Sequence, residues 1–254
     1  MKEIIYIGGN GKLATYIETN TNYIVSKRDR DSQYYLDLNS ISESNLIKRK
    51  NCLFIIGAAI SEPTKCEGNP DFCRDINLLK TAKLIEILLR ENKVLFLSSD
   101  LVFEGNDMST PNSEKTKTNP IHLYSKFKVE IEEKFLPNNN FFIARLSYLL
   151  FKENSFTNYL KHCLENNHVP EIIHPLTRHA TGPNMIVQYM EELAREEISL
   201  PKIKHIAGNA LSRLEMYFNW CEENNIKPQY KTINIDETSM KEYPSYINFE
   251  SIYN

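Results

Sequence analysis

A phenol and an ammonium four residues apart, Tyr124 and Lys128, are the pair in this chain best suited to moving a proton. Residues at i and i+4 share one face of a helix. The ammonium would then stand near the phenol and favour phenolate. A phenol tuned that way donates or accepts a proton at a carbonyl or an alcohol. Tyr-x-x-x-Lys also arises by chance on amphipathic helices, so its meaning rests on what precedes it. That is an apolar run, Val94-Leu95-Phe96-Leu97, which breaks at once into Ser98-Ser99-Asp100. A strand with this pattern delivers hydroxyls and a carboxylate at its carboxyl end.

A second constellation opens the chain. Ile4-Ile5-Tyr6-Ile7 is a strand-length apolar run ending in Gly8-Gly9-Asn10-Gly11, after which Leu13, Ala14 and Ile17 fall at helical spacing. Gly8-x-x-Gly11-x-x-Ala14 at a strand-to-helix junction is the pattern of a dinucleotide-binding turn, with Lys12 and Leu13 inside it. Glycines permit close backbone approach, and the helix amino terminus offers free N–H groups to a phosphate. An ordinary strand-to-helix turn is the plainer alternative. The next strand, Tyr23-Ile24-Val25, runs into Lys27 and Arg28. Basic residues there accommodate the additional phosphate of NADP, whereas Asp29 or Asp31 would hold ribose hydroxyls in an NAD site. The expected cofactor is NADPH, with NADH as the alternative. Asp37 and Leu38 are candidates for the adenine side, although Asp37 could instead cap a helix from Ser40 to Leu46.

These groups need a scaffold, and the remaining pattern supplies one. Cys52-Leu53-Phe54-Ile55-Ile56 is a continuous apolar run, as for a strand covered on both faces, and it ends in Gly57-Ala58-Ala59. A long amphipathic helix is expected from Asp75 through Leu89, with Asn77 placed where a polar network could form. Phe141 to Ser147 reads as a further buried strand. Strands alternating with helices give an α/β fold, a Rossmann-like doubly wound parallel sheet. Ligands of such sheets lie beyond the carboxyl ends of the strands, where Gly8, Gly57, Ser99 and Ser147 fall. After residue 150 the regularity weakens. Helices are expected over 156–164 and 185–195, a loop over Arg178–Pro183, a short strand at His205–Gly208, and a capping box at Ser212-Arg213-Leu214-Glu215. The expected organisation is a dinucleotide-binding domain over 1–150 and a smaller mixed substrate-binding region over 151–254, with interleaving across the boundary allowed.

Composition narrows the functional classes. The 254 residues are 41% hydrophobic and 25% charged, with a formal net charge of −3. Nothing in that balance favours nucleic acid or an anionic membrane, and Lys48-Arg49-Lys50 reads as a solvated face. The five cysteines form no Cys-x-x-Cys pair and, with six scattered histidines, give no metal-ligand spacing. No apolar run approaches the roughly 20 residues that cross a bilayer. A cytoplasmic protein, monomeric or homodimeric, is expected.

With these pieces in order the chain resembles the extended short-chain dehydrogenase/reductases, and within them the dTDP-4-dehydrorhamnose reductase group. The glycine turn and Gly57-Ala58-Ala59 are similar to that family's cofactor elements. Ser98-Ser99-Asp100-Leu101-Val102-Phe103-Glu104-Gly105 is similar to its Ser-Thr-Asp-Tyr-Val-Phe-Asp-Gly block, and Arg145-Leu146-Ser147-Tyr148 to its Arg-Thr-Ser-Trp strand. Tyr124-x-x-x-Lys128 resembles the catalytic pair, and the segment from Gly208 to Glu215 a late family motif. The resemblance implies a reductase of a nucleotide-linked keto-sugar, in deoxysugar and surface polysaccharide biosynthesis. Tyr124 would be the proton donor, Lys128 would lower its pKa and touch the nicotinamide ribose, and Ser99 would orient the substrate oxygen. Asp100 would border the sugar, joined by Ser147, Tyr148, Arg178 and Thr181 on the nucleotide-sugar side. Leu101 and Tyr148 depart from the family's aromatic residues at those positions. Leu101 also lacks the acid with which dehydratases eliminate water.

Overall fold

The computed structural model describes residues 1–105, 110–195, 200–234 and 246–253. The chain begins with β1 (Ile4–Ile7), α1 (Lys12–Asn20) and the short β2 (Ile24–Val25), then β3 (Leu53–Ile56). Helices α2 (Pro63–Gly68), α3 (Pro70–Arg74) and α4 (Thr81–Leu88) lead to β4 (Lys93–Ser99), α5 (Leu123–Phe135) and β5 (Phe141–Leu146). There follow β6 (Tyr148–Leu149), α6 (Ser155–Glu165), β7 (Glu171–His174), β8 (Thr177–Thr181) and α7 (Pro183–Arg195). Last come β9 (Ile203–Ile206), β10 (Ala210–Ser212), α8 (Arg213–Glu223) and β11 (Lys231–Asn234).

Six of these strands form one parallel sheet in the order β2-β1-β3-β4-β5-β9. Every residue of β1, β3 and β5 is buried, which is why β1 and β3 are unbroken apolar runs rather than alternating ones, and β5 departs from that only at Arg145, which is paired. One face packs on α4 and α5 and the other on α1 and α7. From β1 the chain goes outward to β2 and then back to β3 on the other side. The sheet reverses there, opening a crevice at the carboxyl ends of β1 and β3. The Rossmann-like fold expected from the alternation is present.

Four expectations change in detail. The segment from Ser40 to Leu46 is not one helix but two 3-10 turns, Ile41–Glu43 and Leu46–Lys48. Between them the Ser44 hydroxyl bonds the Tyr35 carbonyl and the Leu46 N–H, competing with helical pairing. The helix expected from Asp75 begins at Pro70, capped by the Asn69 side chain on Phe72 N–H, and passes through a π-helical segment, Asp75–Lys80, into α4. Arg178 to Thr181 is strand, not loop. It pairs with β10 on one side and β6 on the other, partners that lie far away in sequence. Finally, α7 and β9 return to the large sheet, so a cut at residue 150 does not separate the two structural units. The smaller unit holds the three-stranded sheet β10-β8-β6, the pair β11-β7, and helices α6 and α8.

Candidate active site

Tyr124 and Lys128 lie one turn apart on the inner face of α5, both almost fully buried. A buried ion pair fastens this helix to the sheet: Arg145 of β5 donates through Nη2 to Glu132 Oε2 at 2.6 Å. Lys128 Nζ donates to the Leu97 carbonyl of β4 at 2.7 Å, and it sits 4.4 Å from the centroid of the Phe96 ring and 5.6 Å from that of Tyr124. Burial pulls the ammonium down to about 8, against an opposing pull from Glu132. Burial also pushes the Tyr124 phenol above its ordinary range, and the Asp100 and Cys66 charges add to that. The expectation that Lys128 lowers this phenol is therefore not met. The ammonium is directed at a backbone carbonyl, and desolvation governs the phenol. Tyr124 is held protonated, the form a proton donor needs.

β4 delivers the next groups. Ser99 stands at its carboxyl end, where its hydroxyl accepts Leu101 N–H and donates to Asp100 Oδ1, each at 3.2 Å. The β4–β5 register pairs Ser99 with Leu146, so the following residues Asp100 and Ser147 meet, and Ser147 Oγ donates to Asp100 Oδ2 at 2.6 Å. Burial raises the Asp100 pKa, opposed first by the Arg178 guanidinium arriving from β8. Arg178 donates to its neighbour's carbonyl, Thr177 O, at 2.9 Å. Tyr148 is half-buried, with the Arg213 guanidinium 5.3 Å from its ring centroid.

A cavity of about 1150 Å³ joins these groups to the glycine turn. Its walls include Gly8, Gly11, Lys12, Leu13, Arg28, Asp37, Leu38, Gly57, Ala58 and Ala59 together with Ser99, Asp100, Tyr124, Lys128, Ser147, Tyr148 and Arg178. Three of the expected site residues stand outside it. Lys27 pairs instead with Glu18 of α1. Asn77 spends its amide on the backbone of Ile60, accepting from the N–H at 2.8 Å and donating to the carbonyl at 3.0 Å, and so braces the wall. Thr181 is fully buried, donating to Ile206 O at 2.7 Å and accepting Ser147 N–H at 3.2 Å, and so ties β5, β8 and β9 together. Asp37 also caps its own turn, accepting Asn39 N–H at 2.8 Å.

The glycines divide by what they answer to. A Cβ on Gly9 would land in the Ser26 carbonyl, so the chain's own crossing of β2 demands a glycine there. A Cβ on Gly11, at the N-cap of α1, would meet only Gly8 O at an ordinary 3.8 Å and would otherwise project into open space at the cavity. Nothing in the protein requires Gly11 to be bare, whereas a phosphate against the helix terminus would. Ser98, another cavity-lining residue, has a buried hydroxyl with no hydrogen-bond partner among the described residues. An orphan of this kind favours a polar ligand nearby. These features fit a dinucleotide. Sequence reasoning gave no separate role to Gly9, Glu132 or Ser98. The doubled Gly8-Gly9 and the hydroxyl run Ser98-Ser99 were usable signals for two of them, and Glu132 carries none.

A profile of the RmlD substrate binding domain family matches residues 1–247. The chain belongs to that family. The resemblance to the extended short-chain dehydrogenase/reductases is thereby borne out. Among solved structures, it is similar to a dTDP-4-dehydrorhamnose reductase from Bacillus anthracis in complex with NADP, with a TM-score of 0.78 and 21% identity over 92% of this chain and 85% of that one. It is also similar to a UDP-glucose 4-epimerase from Thermotoga maritima, with a TM-score of 0.72 and 13% identity over 98% of this chain and 88% of that one. At such identities the likeness shows the fold. Among curated proteins it is 28% identical over 175 residues to the methionine adenosyltransferase 2 subunit beta of Bos taurus, covering 63% of this chain. The chain spans half the length of that relative.

Proposed function

We propose that this protein is an NADPH-dependent reductase of a nucleotide-linked keto-sugar, with a dTDP-4-keto-6-deoxyhexose the first substrate to try. The reading is carried by one observation: Tyr124, Lys128 and Ser99 open onto the same cavity as the bare Gly11 at the amino terminus of α1. The bound cofactor supplies the hydride. Tyr124, kept protonated by burial, gives its phenolic proton to the carbonyl oxygen. Lys128, anchored on Leu97 O, carries positive charge on the cofactor side of that phenol. The Ser99 hydroxyl orients the carbonyl oxygen. Asp100 and Arg178, buried against each other's charge, and Tyr148 face the sugar nucleotide. Arg28, which lines the cavity where Lys27 does not, is the residue for the 2′-phosphate.

The test is NADPH consumption on mixing with the nucleotide keto-sugar, together with Tyr124→Phe. The reading expects NADPH loss matched by product and a fall of about 10²-fold or more without the phenol. Product formed with no net NADPH loss would replace reduction by epimerisation, the activity named for the Thermotoga structure. A second reading, a non-catalytic cofactor-binding subunit of a larger enzyme, draws on the likeness to the methionine adenosyltransferase beta subunit. It expects no NADPH consumption with any keto-sugar, and regulation of a partner enzyme that Tyr124→Phe leaves intact.

A further inference from the structure

Two of the five cysteines sit together behind the cavity wall. Cys66 lies in α2 and Cys73 in α3, on either side of the helix break at Asn69, and both are completely buried. Cys66 Sγ donates to the Ile60 carbonyl at 3.6 Å and accepts from Asn77 Nδ2 at 3.7 Å, while Cys73 Sγ donates to the Lys65 carbonyl at 3.7 Å. The Cys73 thiol thus lies against the backbone of the residue just before Cys66, and both cysteines belong to one buried cluster. A second cavity of about 540 Å³ has Cys73 in its wall with Ile60, Ser61 and Glu62, and those three residues line the main cavity as well. The second cavity thus comes up to Cys73, whose own surface is covered. Any movement of Cys66 is transmitted to Ile60 through a direct bond.

We propose that Cys66 and Cys73 are a reversible thiol–disulfide pair, oxidised by a peroxide, whose closure shifts the Ile60–Glu62 wall and weakens cofactor binding. The chemistry balances in two steps. The Cys73 thiolate attacks hydrogen peroxide, giving a sulfenic acid and releasing hydroxide. Cys66 then attacks that sulfur, the S–S bond forms, and water leaves with the thiol proton. In sum, two thiols and one peroxide give one disulfide and two waters. Closure removes the Cys66 hydrogen that Ile60 O now accepts. Burial pushes the Cys66 thiol up to about 12, with the Lys128 charge acting in the opposite sense, and the proposal gives Cys66 the resolving role.

The cofactor arm rests on the function proposed above, and the covalent arm does not. The full-length protein is treated with hydrogen peroxide at neutral pH, quenched and digested, and peptide masses are read without reduction. In parallel, NADPH titration and amide exchange across residues 60–68 are measured before oxidation, after it, and after dithiothreitol. The proposal expects a Cys66–Cys73 linked peptide two hydrogens lighter than its parts, faster exchange, and an NADPH dissociation constant raised threefold or more. Dithiothreitol reverses all three, and Cys73→Ser abolishes them, with Cys73→Ala as substitute should the serine variant not fold. Absence of the linked peptide overturns the proposal, as does a linked peptide with unchanged exchange. If the reduced protein binds no NADPH, the cofactor reading falls, and mass and exchange alone decide the disulfide.

Discussion

The glycine mouth and the Asp100 corner line the same cavity, but they are built in opposite ways. The mouth is contiguous: β1, Gly8 to Gly11 and α1 follow one another, and its tightest contact is with the very next strand, at Ser26. The corner is assembled from the ends of β4 and β5 and from β8 of the smaller sheet: Asp100 and Ser147 meet because β4 and β5 are paired, and Arg178 brings its charge in from β8. Local geometry makes the first robust. The second depends on long-range pairing, and so on residues such as Thr181 that stand outside the cavity.

This contrast can be broken most sharply within the mouth itself. Gly9→Ala forces a methyl into the Ser26 carbonyl and should destabilise the fold at or beyond the upper end of the roughly 1–3 kcal/mol of an overpacked site. Gly11→Ala should leave the denaturation midpoint nearly unmoved and weaken NADPH binding. Urea unfolding beside NADPH titration reads both, and equal loss of stability in the two variants would erase the distinction.

At the corner, Thr181→Val removes two buried hydrogen bonds and should cost about 2 kcal/mol. Because Thr181 lies outside the cavity, KM for the sugar nucleotide should stay near the parent value. A large KM rise at unchanged stability would return Thr181 to the substrate site.

The pH dependence sharpens the comparison further. Lys128 loses its proton as pH rises through about 8, so NADPH binding should decline above that point. Lys128→Arg, which keeps its charge, should flatten the decline. Between about 8 and the ordinary lysine value the unfolded chain holds this proton more tightly than the folded one, so this group's contribution to stability rises with pH there. Activity and stability should therefore diverge across the same window.

The smallest effect is expected at the rim. Arg28→Ala should reduce the preference for NADPH over NADH by up to about fivefold, the scale of an exposed ion pair. Lys27→Ala, which breaks only the pairing with Glu18, should leave the ratio of the two dissociation constants as it was.

Much of this molecule was legible from sequence because short-range physics wrote it there. Apolar runs marked β1, β3 and the cores of β4 and β5, the glycine turn marked the mouth, and i,i+4 spacing put Tyr124 and Lys128 on one face. The sequence by itself therefore determined the parallel sheet, the place of the cavity and the shared face of Tyr124 and Lys128. Tertiary structure alone decided the rest. Arg178 could not be read as strand because its pairing partners, β6 and β10, lie about 30 residues away on either side. Lys27 and Arg28 are adjacent and equally charged, yet only the folded edge of the sheet sends one to Glu18 and the other to the cavity. The state of the Tyr124 phenol likewise follows from burial, and desolvation is a property of the whole surrounding volume rather than of any spacing along the chain.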